Sequence, residues 1–118
     1  MIYKERVEKA VRVGTGFVAE VGGNPVGCAF FDYEAGRIYL EQLYVMKHFR
    51  RLGLGEKLIK EVAKKATTRA YPVTLFLPTE KEKYQNARTF YERFGFRVIP
   101  DTHGRKMILA REQVRDLC

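Results

Sequence analysis

The hydrophobic period changes near residue 54, and this change limits the folds that the chain can adopt. Before it, three short apolar segments are bounded by turn residues, which predicts β-strands over 14–21, 26–33 and 37–46. After it, apolar residues recur at helical spacing across 54–66, with lysines largely on the other side. The continuous apolar run 73–77 (VTLFL) then predicts a strand buried on both faces.

The order of these segments predicts how the strands are connected. A strand, a helix and a strand in succession indicate a right-handed parallel crossover. The turn clusters 22–25 and 34–36 instead join the first three strands as an antiparallel meander. The fold class is therefore predicted to be α+β, with a mixed central sheet that combines the meander with one parallel strand pair and is flanked by helices.

The two ends of the chain complete the predicted element order. A short helix is expected over 3–12, and a second amphipathic helix carries an aromatic stripe that ends at Gly95. The stripe consists of Tyr84, Ala87, Phe90, Tyr91 and Phe94. Strands are predicted at 96–99 and 105–110, and the polar tail 111–118 (REQVRDLC) indicates no element or role.

Length and composition restrict the classes of protein that remain. The 118 residues predict a single domain over 1–118, and the net charge of +8 favours an anionic partner, although many small proteins are simply basic. Cys28 and Cys118 form neither a disulfide framework nor a zinc spacing. The N-terminus lacks a signal-peptide core, and no apolar run reaches membrane length, so we expect a cytoplasmic protein without a membrane partner.

The segment Arg50–Gly55 (RRLGLG) places two arginines and two glycines just before the predicted 54–66 helix. A helix N-terminus offers unpaired N–H groups and a partial positive charge, which together attract anions. Between Lys47 and Lys65 there are seven basic and two acidic residues, so much of the charge lies near this loop. The spacing matches neither a P-loop nor a dinucleotide fingerprint, and a plain turn with solvated arginines is the alternative.

Two segments together resemble one known family. The strand end Leu43–Val45, followed by Arg50-x-x-Gly53-x-Gly55 and a helix, resembles the acetyl-coenzyme A-binding motif of GCN5-related N-acetyltransferases (GNAT). The segment 87–96 (ARTFYERFGF) is similar to the family's Ala-x-x-Phe-Tyr-x-x-x-Gly-Phe segment. The resemblance covers about residues 14–110.

The resemblance implies a cofactor and a set of residues that bind it. Acetyl-CoA would be the co-substrate, without a metal, and its acetyl group would pass directly to a primary amine. The diphosphate would lie on the loop, and the pantetheine arm would lie along the strand end, where the Val45 N–H would bind the thioester oxygen. The implied cofactor-binding residues are Leu43, Tyr44, Val45, Arg50, Arg51, Leu52, Gly53, Leu54, Gly55 and Asn86, although the family's usual offset for the last would indicate Tyr84.

Two residues are candidates for acid–base catalysis. Tyr91 matches the family's frequent general acid, which protonates the leaving thiolate; alternatively it is a core aromatic residue. Glu41 is the nearest candidate base, because even spacing places it on the same side of the strand as Val45 unless a bulge intervenes. Glu41 could instead pair with an arginine such as Arg37, or act through water.

The acceptor and two other functions stay open. A small-molecule or peptide amine is expected. The family usually has a strand and two helices before the meander, whereas about 13 residues precede the first predicted strand here, so we expect a shortened N-terminal region. A homodimer could complete the acceptor site, and a non-catalytic CoA-binding or regulatory module is the alternative function. The sequence argues against a nucleic-acid-binding module, because the aromatic residues follow apolar stripes rather than interleaving with basic residues.

Overall fold

The computed structural model describes the backbone of residues 2–118 and the side chains from residue 5 onward. In chain order, the helices and strands are α1 (Ile2–Val13), β1 (Gly16–Val21), β2 (Asn24–Glu34), β3 (Arg37–Val45), α2 (Leu54–Arg69), β4 (Val73–Phe76), α3 (Lys81–Glu92), β5 (Arg97–Val98), β6 (Lys106–Leu109) and α4 (Arg111–Leu117). A short 3₁₀ turn, Lys47–Phe49, precedes the arginine–glycine loop.

The six strands form one mixed sheet in the order β1-β2-β3-β4-β6-β5. β1, β2 and β3 pair antiparallel as a meander, and β3 and β4 pair parallel. β6 lies antiparallel between β4 and β5. The predicted α+β architecture, including the parallel strand pair joined through α2, is confirmed.

The main core lies between α2 and one face of the sheet. The helix buries five apolar side chains at helical spacing: Leu58, Ile59, Val62, Ala63 and Ala66. They join a cluster of buried strand residues that includes Phe31, Ile38 and Leu75. Because this burial follows the period read from the sequence, α2 and its packing face were predictable from local pattern alone.

The tail, for which the sequence indicated no element, forms a helix, and one expectation about the central strand β4 is wrong. The polar tail forms α4, which packs on α2 and buries Val114 with only 1% of its surface exposed. The helix carries only two apolar side chains, Val114 and Leu117, which are too few to establish a period, so the sequence carried only a weak signal for this helix. β4 is also not buried on both faces to its end, because Phe76 is 53% exposed.

Candidate cofactor and acceptor site

β3 and β4 separate beyond a β-bulge, and this separation opens the centre of the sheet. The two parallel strands pair only from Ile38 opposite Val73 to Leu40 opposite Leu75. In the pairing of β3 with β2, Leu40 and Gln42 stand opposite two consecutive residues of β2, Phe31 and Phe30. Glu41 therefore has no cross-strand partner and forms the bulge. Past this point the β3 backbone borders a gap.

The bulge overturns the expectation that Glu41 and Val45 lie on the same side of β3. Leu40, Leu43 and Val45 stand opposite alternate residues of β2, at Phe31, Ala29 and Gly27, and therefore share the core face. Glu41 is the inserted residue, and its side chain is directed toward α1. A period of two across the whole strand therefore gave the wrong parity after residue 40.

The backbone at Val45 offers a hydrogen-bond donor to the gap. The Met46 N–H donates to the Val26 carbonyl oxygen in β2 at 2.8 Å. Because neighbouring N–H groups in a strand point to opposite sides, the Val45 N–H points away from β2. The Val45 carbonyl oxygen lies on the same open side and accepts a hydrogen bond from Arg50 Nε at 2.7 Å.

The two arginines of the loop have different surroundings. The Arg50 guanidinium turns back to the strand, where it also lies over the Tyr44 ring, 5.6 Å from its centroid. Arg51 has a positive φ of 65° and an exposed side chain. The basic charge is thus divided between a group bound to β3 and a group free to meet a ligand at the cavity wall.

The two glycines of the loop serve separate steric needs. Gly53 precedes the first turn of α2 with φ of 80°, a conformation that glycine adopts without strain. Gly55 lies within the first turn, where an added Cβ would stand 3.1 Å from Cζ of Phe90. The missing side chain at Gly55 therefore allows α3 to approach the start of α2 closely and close one wall of the site.

A cavity of about 810 Å³ lies between the end of β3, the loop, the start of α2 and α3. Of the ten cofactor-binding residues expected from the sequence, nine line it: Leu43, Tyr44, Val45, Arg50, Arg51, Gly53, Leu54, Gly55 and Asn86. Leu52 is not among the lining residues, and its side chain is 61% exposed. The structure therefore gathers at one cavity nearly the whole set that the two sequence segments indicated.

From this region of the chain, sequence reasoning named only Asn86 and Tyr91 as site residues and missed four others that line the cavity. Lys83, Ala87, Phe90 and Arg93 line it together with Asn86. Their spacing of three to four residues places them on one helix face, and this pattern could have found them. Arg93 adds positive charge opposite the loop, whereas Lys83 is paired with Glu80 at 2.9 Å and Glu56 with Lys60 at 3.1 Å.

A second cavity of about 310 Å³ adjoins the first. The two share Gln42, Leu43, Pro78, Ala87 and Tyr91, so these residues form the partition between them. Only the second cavity is lined by Glu41 and Phe76. The two candidate acid–base residues thus border the same space, and Tyr91 borders both.

Burial raises the pKa of the Tyr91 phenol well above its ordinary value. The ring packs edge-on against Phe90 and lies 5.3 Å from Phe96, between centroids, which accounts for the loss of hydration. The phenol therefore keeps its proton through the neutral range. In this structure Tyr91 can donate a proton, and it cannot serve as a resident base.

Glu41 lies in a network of charged groups. Its carboxylate forms an ion pair with Arg6 of α1, and not with Arg37. A hydrogen bond with Asp32 raises the pKa of Glu41, and burial and the Asp32 charge act in the same direction, while Arg6 opposes them. The Arg6 guanidinium also lies over the Phe30 ring, 5.0 Å from its centroid.

The described residues also bear on metal binding and on membrane insertion. Across residues 2–118 no cluster of three or more histidine, cysteine or acidic side chains is arranged to hold a metal ion. None of the helices in that range is both long and apolar enough to cross a membrane.

Comparison with known proteins gives consistent matches. A family model described as an acetyltransferase (GNAT) domain matches residues 12–98. The probable N-acetyltransferase Rv2775 of Mycobacterium tuberculosis is 29% identical over 85 residues, which cover 70% of this chain and 46% of that protein. The chain therefore spans about half the length of this curated relative.

Two solved structures illustrate the similarity of the fold. PH1933 from Pyrococcus horikoshii OT3 superposes with a TM-score of 0.74 at 23% identity, over 92% of this chain and 71% of that one. A GNAT family acetyltransferase from Elizabethkingia anophelis, crystallised with acetyl-CoA bound, has a TM-score of 0.66 at 19% identity, over 89% and 79%. At these identities the likeness is one of fold.

Proposed function

The chain belongs to the GNAT acetyltransferase family, and from this premise we propose that it transfers the acetyl group of acetyl-CoA directly to a primary amine. The observation that carries the proposal is the position of Tyr91, which lines both the large cavity and the small one. A residue at that partition can touch a thioester entering from one side and an amine entering from the other.

The large cavity has the features that a CoA thioester requires. The N-terminus of α2 supplies unpaired N–H groups for the diphosphate, and Arg51 and Arg93 supply positive charge. The fold is shared with an acetyltransferase crystallised with acetyl-CoA. In our proposal the pantetheine arm lies in the gap beside β3, and the Val45 N–H donates to the thioester oxygen. One such oxyanion donor contributes about 10²–10³-fold to the rate.

The chemical steps follow from the two cavities. The amine nitrogen attacks the thioester carbonyl carbon, and the proton that it loses passes to Glu41, directly or through water. The C–S bond then breaks as the Tyr91 hydroxyl protonates the departing thiolate. The high pKa of Tyr91 makes this transfer uphill, but a thiolate held beside the same buried phenol would also lose hydration, which would raise its own proton affinity.

One observation favours a second function, a non-catalytic CoA-binding module. Arg6 already occupies the Glu41 carboxylate, so the candidate base is not free in this structure. A module of this kind would bind acetyl-CoA without releasing its thiol to any amine. The two functions differ in turnover and agree in cofactor binding.

Calorimetric titration with acetyl-CoA tests the cofactor, with adenosine 3′,5′-bisphosphate as the control for nucleotide binding alone. Thiol release is then measured across a panel of amines for the wild type and for Tyr91→Phe. Loss of the general acid should lower kcat by about 10²–10⁴-fold while the acetyl-CoA affinity stays within about twofold.

Tyr33→Phe is the matched control for this substitution, because Tyr33 is a half-buried tyrosine that lines neither cavity. Its kcat should equal that of the wild type. An equal loss in both variants would refute the role of Tyr91. Acetyl-CoA binding without turnover on any amine would favour the non-catalytic module.

A further inference from the structure

One half of a sheet face is left without a helix over it. The face opposite the main core is covered by α1, where Ala10 packs against Gly16 of β1 and Arg6 lies over the Phe30 ring of β2. The helices α2, α3 and α4 pack on the core side. In the described part of the chain, the outer face of β4, β6 and β5 therefore meets solvent, and the Phe76 ring of β4 is 53% exposed.

One row of side chains crosses this surface from an acid to a base. Asp32 of β2 stands opposite Tyr39 of β3, which stands opposite Thr74 of β4. Thr74 in turn stands opposite Ile108 of β6, which stands opposite Arg97 of β5. Thr74 is buried between its larger neighbours, whereas both ends of the row are exposed. We call the surface from Asp32 to Arg97 the uncovered face; β4 is its middle strand.

The charges at the two ends of the row cannot neutralise each other within one copy. Four strand spacings separate β2 from β5, a distance of about 19 Å. Among the side chains described from residue 5 onward, neither Asp32 nor Arg97 takes part in an ion pair. Asp32 hydrogen-bonds to Glu41, but the cation beside Glu41 is Arg6. Each end of the uncovered face therefore offers a charge to a partner.

The positions next to this row divide in the same way. Burial raises the pKa of the Tyr39 hydroxyl, and so do the charges of three carboxylates that gather at the β2–β3 half: Glu41, Glu34 and Asp32. Arg37 also lies in that half, opposite Glu34. On the other half, Lys106 stands opposite Phe76 with its ammonium 5.5 Å from the ring centroid. The Phe76 and Tyr39 rings, 5.8 Å apart between centroids, form an aromatic centre between the two halves.

We propose that the uncovered face is the interface of a homodimer, in which a second copy packs face to face about a two-fold axis that runs along β4. Rotation about this axis exchanges the two halves, so Asp32 of each copy meets Arg97 of the other. Phe76 lies on β4, so the two exposed Phe76 rings meet at the axis. An axis across the strands would instead set acid against acid, and the charges therefore select the first arrangement.

This self-complementarity is the reason that the proposed occupant is a second copy rather than an unrelated protein. The second copy would border the small cavity, because Phe76 and Glu41 line it. The proposal holds for a catalytic protein and for a non-catalytic one alike. A patch of this width lies at the small end of specific interfaces, so we expect a dimer that dissociates on dilution.

Sedimentation velocity over a concentration series tests the association. The sedimentation coefficient of the wild type should rise with concentration toward that of a dimer. Asp32→Arg and Arg97→Asp should each raise the dissociation constant by about tenfold or more, because both symmetric contacts become repulsive. Both positions are exposed, so both variants should fold. Glu20→Arg is the matched control, since it reverses an exposed acid on β1, outside the uncovered face, and should leave the constant unchanged.

The two single variants also test the symmetry. An equimolar mixture of Asp32→Arg and Arg97→Asp should associate, because two arginines of one copy then meet two aspartates of the other. A protein that carries both substitutions should associate with itself again. A wild type that stays monomeric at every concentration would overturn the second copy as the occupant and leave the face to a different partner. A dimer insensitive to both substitutions, or a mixture no more associated than its components, would overturn the proposed arrangement.

Discussion

Arg50 and Arg51 are adjacent in sequence, and the structure predicts that replacing each by glutamine has a different effect. Arg50 donates to the Val45 carbonyl oxygen at 2.7 Å and covers the Tyr44 ring. Arg51 is exposed at the cavity wall. We therefore expect Arg50 to stabilise the end of β3 and Arg51 to act on the ligand's charge.

The loss of stability expected for Arg50→Gln follows from the hydrogen bond to the Val45 carbonyl oxygen. A hydrogen bond from a charged donor contributes about 1.5–3 kcal/mol, and exposure of the guanidinium reduces this to about 1–2 kcal/mol. At this chain length that loss corresponds to a decrease of about 4–8 °C in Tm. Arg51→Gln should change the free energy of unfolding by less than about 0.5 kcal/mol, as is usual for a surface substitution.

Urea unfolding of the ligand-free variants measures the first effect, and acetyl-CoA calorimetry at two salt concentrations measures the second. Arg51→Gln should weaken binding about fivefold at low salt, the equivalent of about 1 kcal/mol for one charge near a phosphate in water, and the deficit should shrink as salt rises. Equal unfolding midpoints for the two variants would refute the structural role of Arg50. An unchanged acetyl-CoA affinity in Arg51→Gln would refute its role at the cavity.

Two further predictions concern Asp32 and Val114. Asp32→Asn removes the carboxyl that raises the pKa of Glu41, so the acidic limb of the pH profile of kcat/KM should move to lower pH; a limb that does not move would exclude Glu41 as the base. The raised pKa of Glu41 favours the folded protein below the ordinary glutamate pKa, and this advantage is lost as pH rises through the raised value. Compared with the wild type, Asp32→Asn should therefore be relatively more stable near pH 7 than near pH 4. Val114→Ala should lower the free energy of unfolding, measured in urea, by about 1.5–2.5 kcal/mol, because burial is lost and a space is left unfilled. Arg115→Ala on the same helix should change that free energy little. Equal effects of the two substitutions would mean that α4 does not pack on α2 in solution.

Local patterns accounted for most of the secondary structure because each element carried its own signal. The helical spacing of Leu58, Val62 and Ala66 predicted α2, and the same residues are buried against the sheet. The arginine–glycine loop, and the family resemblance that named Asn86 and Tyr91, indicated which segments border the large cavity. In contrast, α4 has one fully buried residue, Val114, and one partly buried residue, Leu117, which are too few to establish a period.

The chain's own sequence determined the order of its elements up to β6 and the basic loop before α2, because period, turn chemistry and charge act over a few neighbouring residues. The role expected of Tyr91 came instead from the family resemblance. The tertiary structure alone decided what Glu41 contacts. A one-residue bulge changed the parity of β3, and the partner of Glu41 came from Arg6, far away in sequence. Register shifts and long-range ion pairs depend on how separate elements pack together, and no pattern within a few neighbouring residues encodes that packing.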